Sequence, residues 1–291
     1  MKNHGVPSPQ QFPRSDYILD NAGKETEHRF RALSSAFDPG TIRHLERLGV
    51  APGWRCLEVG CGDGSIAKWL AARTFPDGHV LGTDLDPRYA HASGVPNLEI
   101  IRHNIVTDPL PASSFDLVHA RLVLLHIPER EKALTRMVAA LKPGGWILDE
   151  EFDYSVYPDP SRNPGEVLSK THSAMIRLMD DRGIDRKFGR GLFGRLRALG
   201  LGDVGAEGRT FLWPARSPGP VLMRANYEQL RTEMIAAGYL TQPEFERDVA
   251  ALDDPNFLIP SPVLWATWGR RKPEVDFNHR TAALKESIFK L

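Results

Sequence analysis

The chain has 291 residues, enough to bury a substantial core, as one large domain or one and a half. Its 37 Lys and Arg balance its 37 Asp and Glu, so no overall field draws it to nucleic acid or to an anionic membrane. The two cysteines, Cys56 and Cys61, flank one predicted strand end, which reads as a reducing, cytoplasmic setting and not as a disulfide scaffold.

The opening stretch MKNHGVPSPQQFPRSD has no apolar signal-peptide core, and its proline and polar content predicts a disordered lead-in to about Asp16. No apolar run in the chain approaches a membrane span. From Tyr17 to Gly49 the hydrophobic period is helical, with Phe30, Leu33 and Phe37 on one face. Asp38-Pro39 reads as an N-cap and first helical position, so a second helix carrying Ile42, Leu45 and Leu48 is expected to begin there. Strands and helices then alternate. Strands are expected at Arg55–Val59, His79–Asp84, Leu98–Arg102, Phe115–Ala120 and Trp146–Glu151. Helices are expected at Ser65–Arg73, from Asp86-Pro87 onward, and at Glu129–Leu141, the last stopped by Pro143-Gly144-Gly145. That alternation implies a parallel, doubly wound sheet.

After Glu151 the pattern changes. Residues 154–165 read as a loop, and helices follow at Glu166–Arg182, Arg186–Leu199, Pro220–Ala237 and Pro243–Leu252. Asp203–Trp213 reads as a strand, and Phe257–Arg270 contains a final one. A weak helix is expected at residues 281–290.

The chemistry concentrates in CLEVGCGDGS, where Gly60, Gly62 and Gly64 alternate directly after the first strand. Ligands of open parallel sheets bind outside the carboxyl ends of the strands, and glycines let the backbone turn tightly against them. Asp84 ends the second strand, where a carboxylate accepts both ribose hydroxyls of an adenosine. A dinucleotide fingerprint needs G-x-G-x-x-G, and Ser65 stands at the third glycine's place. Glu58, two residues before Gly60, would repel a pyrophosphate and suits a cofactor with a positive amine or sulfonium.

These residues resemble the class I S-adenosylmethionine-dependent methyltransferases. LEVGCGDGS is similar to their first motif, Asp84 in LGTDLD to the acidic end of their second strand, and LKPGG to the turn before their fifth. FDLVHARLVLLHIPEREKAL resembles their fourth strand and the following helix. The likeness spans roughly Arg55–Glu151, and the overall pattern is similar to UbiE-like and bacterial natural-product enzymes acting on small molecules. It implies an α/β, Rossmann-like, doubly wound, mostly parallel seven-stranded sheet with an antiparallel last strand, an N-terminal helical lid and helical insertions. Residues 1–49 would be the lead-in and lid, 50–151 the cofactor-binding core, and 152–202 a helical acceptor cap with a return helix. Residues 203–272 would supply the last two strands with a helical insertion, and 273–291 a tail.

The resemblance implies S-adenosyl-L-methionine as cofactor, with S-adenosyl-L-homocysteine as product. Glu58, Gly60, Cys61, Gly62, Asp84 and Leu85 would line its site, together with Asn104 and Ile105 at the adenine edge, where the family often has Asp. Arg121 would meet the cofactor carboxylate, and Tyr17 and Arg29 of the lid would close over it. His126, just past the fourth strand, is the candidate base or pocket wall. Glu150 and Glu151 at the exit of the fifth strand could take a proton or steer a cation, and Glu151 could touch the acceptor. His172, Met175, Trp213, Met223 and Tyr227 of the later segments would line a mostly apolar acceptor pocket. The acceptor is expected to be a small molecule, with methyl transfer to oxygen, nitrogen or carbon. A monomer or homodimer with no metal, no nucleic acid and no membrane partner is expected. The Asn/Asp-Pro-Pro-aromatic run of DNA amino-methylating enzymes is missing from HARLVLLH. A protein of this fold that holds the cofactor without transferring methyl, for another reaction such as a cyclisation or for regulation, stays open at this stage.

Overall fold

The computed structural model describes residues 19, 25–155 and 170–273. Apolar stretches five to seven residues long are buried on both faces here, which is what a parallel sheet covered by helices requires. Five parallel strands, β1 (Arg55–Val59), β2 (His79–Asp84), β3 (Leu98–Arg102), β4 (Phe115–Arg121) and β5 (Leu141–Asp153), lie in the order β3-β2-β1-β4-β5. β9 (Val263–Arg270) runs antiparallel beside β5, and β6 (Gly202–Arg209) forms the far edge, antiparallel to β9. The sheet is therefore the seven-stranded, mostly parallel one expected, with a single antiparallel strand inserted between the fifth and sixth. Strand order reverses between β1 and β4, and the crevice at their carboxyl ends is where a ligand belongs.

On one face α2 (Ser65–Thr74) buries Ile66, Ala67 and Leu70 against Val80, Leu117 and Leu148. On the other, α3 (Arg130–Ala140) and α5 (Phe188–Ala198) bury Leu134, Met137, Leu192 and Leu196 against Leu57, Val118 and Ile147. Each such side chain contributes about 1.5–3 kcal/mol through burial. α4 (Lys170–Asp181), α6 (Pro218–Ala236) and α7 (Gln242–Ala251) pack together, with α6 running beside α1 (Thr26–Arg47).

Several expectations are corrected. Asp38-Pro39 does not start a new helix; α1 runs unbroken through Pro39 over 22 residues. The lost amide donor at Pro39 is outweighed by continuous burial of Phe37, Thr41, His44 and Leu45, and the Asp38 carboxylate pairs with Arg121 instead of capping. No helix follows Asp86-Pro87; a short turn stands there, with Ala90 N–H donating to Pro87 C=O, before Gly94 and Pro96 lead into β3. β5 begins at Leu141 and includes Pro143-Gly144-Gly145, because Gly144 N–H donates to the Arg271 carbonyl just past β9 and Arg271 N–H donates back to the Gly145 carbonyl. The strand expected at Asp203–Trp213 divides into β6 and β7 (Leu212–Pro214). β7 pairs with β8 (Leu258–Pro260) in a separate two-stranded ribbon. Tyr17, residues 156–169 and the helix expected at 281–290 lie outside the described residues.

Candidate active site

The glycines of the loop after β1 all adopt left-handed φ, 64° at Gly60, 58° at Gly62 and 79° at Gly64. L-side chains pay for that conformation, so the sequence spends glycine where the chain must reverse tightly into α2. Space is short as well: a Cβ at Gly60 would overlap Val123, and one at Gly62 would lie 2.9 Å from the Phe30 ring of α1. Ser34 of α1 donates to Asp63 at 3.1 Å, so α1 lies directly over this loop.

Asp84 ends β2 beside it. Its Oδ2 accepts from Gly62 N–H at 3.0 Å and its Oδ1 from Asp86 N–H at 2.9 Å. Burial pushes the Asp84 carboxyl up from the usual range, and those two amides pull against the shift. Each oxygen keeps a lone pair for a hydroxyl donor. Asn104 opens an Asx turn after β3, its Oδ1 accepting from Val106 N–H at 2.9 Å and its own N–H donating to Asp108 at 2.8 Å. Asn104 and Ile105 stand on the same wall as Leu85. Arg29, 3% exposed, donates to Leu19 C=O at 3.2 Å and stacks 4.7 Å over Phe30.

Glu58 faces the same space from the end of β1 and belongs to a buried chain of polar groups. His119 Nδ1 lies 2.6 Å from Glu58 Oε2, and His119 Nε2 lies 3.3 Å from Glu150 Oε2. Thr41 of α1 donates to that same Glu150 oxygen, and Arg121 donates to Thr41 at 2.9 Å and to Asp38 at 2.8 Å. Burial alone would lower the basicity of His119; the two carboxylates overcome it and raise the imidazole to about 9. His119 is thus a buried cation at neutral pH, clamped between two acids.

Of these groups the glycine loop, Asp84, Asn104, Arg29, Glu58 and Arg121 line one cavity of about 1180 Å³. That exceeds the roughly 300–1,000 Å³ of an ordinary small-molecule site, which leaves room beyond one ligand. One end is lined by Glu58, Gly60, Cys61, Gly62, Asp84 and Asn104. The other is mostly apolar: Phe152 and Tyr154 from β5 and just beyond it, Met175 and Met179 from α4, and Leu222 and Leu230 from α6, with the amide of Asn226 between them. Leu122, Val123 and His126 stand between the two ends. Burial, with Arg29 and Arg130 nearby, lowers His126 to about 3, so it is a neutral imidazole and a weak base.

A side chamber of about 30 Å³, room for little more than one or two waters, adjoins the apolar end. His172, Trp213, Met223 and Tyr227 surround it, with His172 Nδ1 3.0 Å from the Tyr227 hydroxyl. Of the acceptor residues expected from sequence, Met175 and His126 therefore reach the main cavity, and His172, Trp213, Met223 and Tyr227 lie behind it. Glu150 and Glu151 do not reach the wall: both are buried at no more than 2% exposure, engaged with His119 and Thr41 and with the backbone after β4, respectively. Arg121 lines the cavity with its guanidinium committed to Asp38 and Thr41. Sequence reasoning missed Phe30 and His119, and also the stripe Leu222, Asn226 and Leu230. That stripe recurs every fourth residue of α6, a helical-face signal legible beforehand.

The adenosyl end fits S-adenosylmethionine on these observations. Asp84 offers two acceptor oxygens at ribose reach, the glycines clear three positions of the loop of side chains, and the buried acid Glu58 suits a cationic group. Among the described residues no group of three or more His, Cys, Asp or Glu is placed to hold a metal.

Residues 57–148 match the methyltransferase domain family. The chain is 33% identical over 140 residues to methyltransferase str2 of Strobilurus tenacellus, covering 47% of this chain and 50% of that protein. It is 30% identical over 195 residues to methyltransferase str3 of the same fungus, covering 66% and 64%. It thus spans less than two thirds of either relative's length. Among solved structures, the phosphoethanolamine N-methyltransferase 2 of Haemonchus contortus, in complex with S-adenosylhomocysteine, superposes with a TM-score of 0.58 at 20% identity. That superposition covers 90% of this chain and 61% of that one and shows the shared fold. Strand order, glycine loop and matched segment together liken the β1–β5 core of this chain to the methyltransferase domain family.

Proposed function

We propose that the protein transfers a methyl group from S-adenosylmethionine to oxygen, nitrogen or carbon of a small, mostly apolar acceptor. One observation carries this reading: the adenosyl end, with Asp84 and the glycine loop, is continuous with the apolar chamber between α4 and α6. The cofactor, when bound, supplies an already activated methyl group. The chain then has to align the acceptor and exclude water, which proximity alone makes effective. α1 covers the glycine loop through Phe30 and Ser34, and α6 roofs the apolar end. Neutral His126 serves as a wall and hydrogen-bonding group, because its basicity is too low to take a proton efficiently near neutrality. The residues that α4 and α6 present to the cavity, Met175, Met179, Leu222, Asn226 and Leu230, carry no charge, which supports an uncharged acceptor.

The test is calorimetric titration with S-adenosylhomocysteine, with NAD as control. Saturable binding of the first alone is expected. Asp84→Ala is expected to weaken it about 10- to 100-fold, since a buried, charge-assisted pair of acceptors is lost. An unchanged affinity in that variant would overturn the ribose assignment. Release of S-adenosylhomocysteine on incubation with S-adenosylmethionine and acceptor candidates separates methyl transfer from cofactor holding without transfer.

A further inference from the structure

Leu122 follows β4 with a φ of 57°, a conformation that a bulky side chain adopts only where its surroundings impose it. Leu122 N–H donates to the Glu150 backbone oxygen at 2.8 Å. The next two amides have no strand to pair with. Val123 N–H and Leu124 N–H both donate instead to Oε1 of Glu151, at 2.9 and 2.6 Å. Glu151 is fully buried and does not reach the cavity, while the turn it holds does: Leu122, Val123 and His126 form the wall between the two ends. Val123 is also the residue that fills the space above Gly60.

We propose that Glu151 is a positioning residue, whose carboxyl clamps the left-handed turn after β4 so that Val123 seats on Gly60 and His126 faces the transfer point. It does for this turn what an N-cap side chain does for a helix, supplying an acceptor to amides the fold leaves over. Burial and the neighbouring Asp149 raise the Glu151 carboxyl well above its usual range. The neutral acid still accepts through its carbonyl oxygen, and a glutamine reproduces that oxygen. The functional consequence rests on the methyltransferase reading; the clamp itself does not.

Two variants separate the clamp from simple core packing. Glu151→Met keeps the volume and removes the acceptor, and Glu151→Gln keeps both. Amide hydrogen exchange at residues 122–125 reads the turn, and calorimetry with S-adenosylhomocysteine reads the site. In Glu151→Met the turn amides are expected to exchange at least about tenfold faster and the affinity to fall about tenfold, the scale of one lost buried hydrogen-bond acceptor. Glu151→Gln should return both to within about threefold of wild type. Wild-type exchange in Glu151→Met, or equal loss in both variants, overturns the clamp. Val123→Ala leaves Glu151 in place and removes the contact on Gly60; wild-type affinity in that variant overturns the link from turn to site. Failure of the wild type to bind S-adenosylhomocysteine would count against the methyltransferase reading, while the exchange rates would still decide the clamp.

Discussion

Asp149 and Thr267 face each other across β5 and β9, both wholly buried. Neither Asp149 oxygen nor the Thr267 hydroxyl has a hydrogen-bond partner among the described residues. Burial, together with the Glu150 charge, drives the Asp149 carboxyl up to about 8, against the pull of the His119 cation. The folded chain therefore keeps a proton that the unfolded chain releases near pH 4. Stability at this residue is fullest in acid, falls as pH rises through the window between the two values, and levels off above about 8. Asp149→Asn removes the titration. Its melting temperature should lie nearest wild type at the acid end of that window, near pH 4, and exceed it by several degrees near pH 8.5. Parallel melting curves across that range would refute the account. His119 has the opposite logic, since two acids hold its proton in place. None of these shifts was legible beforehand: Glu150 and Glu151 read as groups at a strand exit that could take a proton or steer a cation, and only the pairing of β5 with β9 buries the run from Asp149 to Glu151.

α5 lies close enough to β5 that a Cβ at Gly189 would overlap the Glu151 carbonyl, whereas a Cβ at Gly194 meets nothing within 4 Å. Both glycines sit in the same helix, where alanine gains up to about 1 kcal/mol from propensity. At Gly194 that gain stands alone, so Gly194→Ala should stabilise by about 0.5–1 kcal/mol. At Gly189 backbone must move, and overpacking costs about 1–3 kcal/mol, so Gly189→Ala should lower the melting temperature. Chemical denaturation of the two variants checks the opposite signs; shifts of the same sign would mean that α5 does not seat where the structure puts it. The strands β1, β2 and β3 were legible residue for residue, because short apolar runs bounded by turn residues have few alternatives. α1 was not. Asp38-Pro39 carries a strong local helix-start signal, and the burial of Phe37 before it and of Thr41, His44 and Leu45 after it overrode that signal.

At the scale of the molecule, α1, the glycine loop and the ends of β1, β4 and β5 form one connected unit. Phe30 covers Gly62, Ser34 bonds Asp63, and Thr41 reaches Glu150, which in turn reaches His119 and Glu58. A ligand filling the adenosyl end therefore stabilises the whole fold by linkage. At a hundredfold excess of S-adenosylhomocysteine over its dissociation constant the gain is about 2.7 kcal/mol, or several degrees in melting temperature. Differential scanning calorimetry with and without the ligand, and with NAD in its place, measures it. An unmoved transition would mean that the cavity does not take an adenosyl group.

The sequence by itself determined the alternation of strand and helix, the glycine loop, the acid ending β2 and the family they imply. Each of those is written in local spacing or in a short motif, and local spacing needs no distant partner. The tertiary structure decided what the remaining groups do. Glu150 and Glu151 became buried supports, not cavity residues, and Arg121 turned to α1. His126 became a weak base, and four of the five insertion residues expected at the acceptor moved behind its wall. Charge state and direction depend on burial and on partners far along the chain, as with Thr41 on Glu150, and only the closed sheet with its covering helices brings those together.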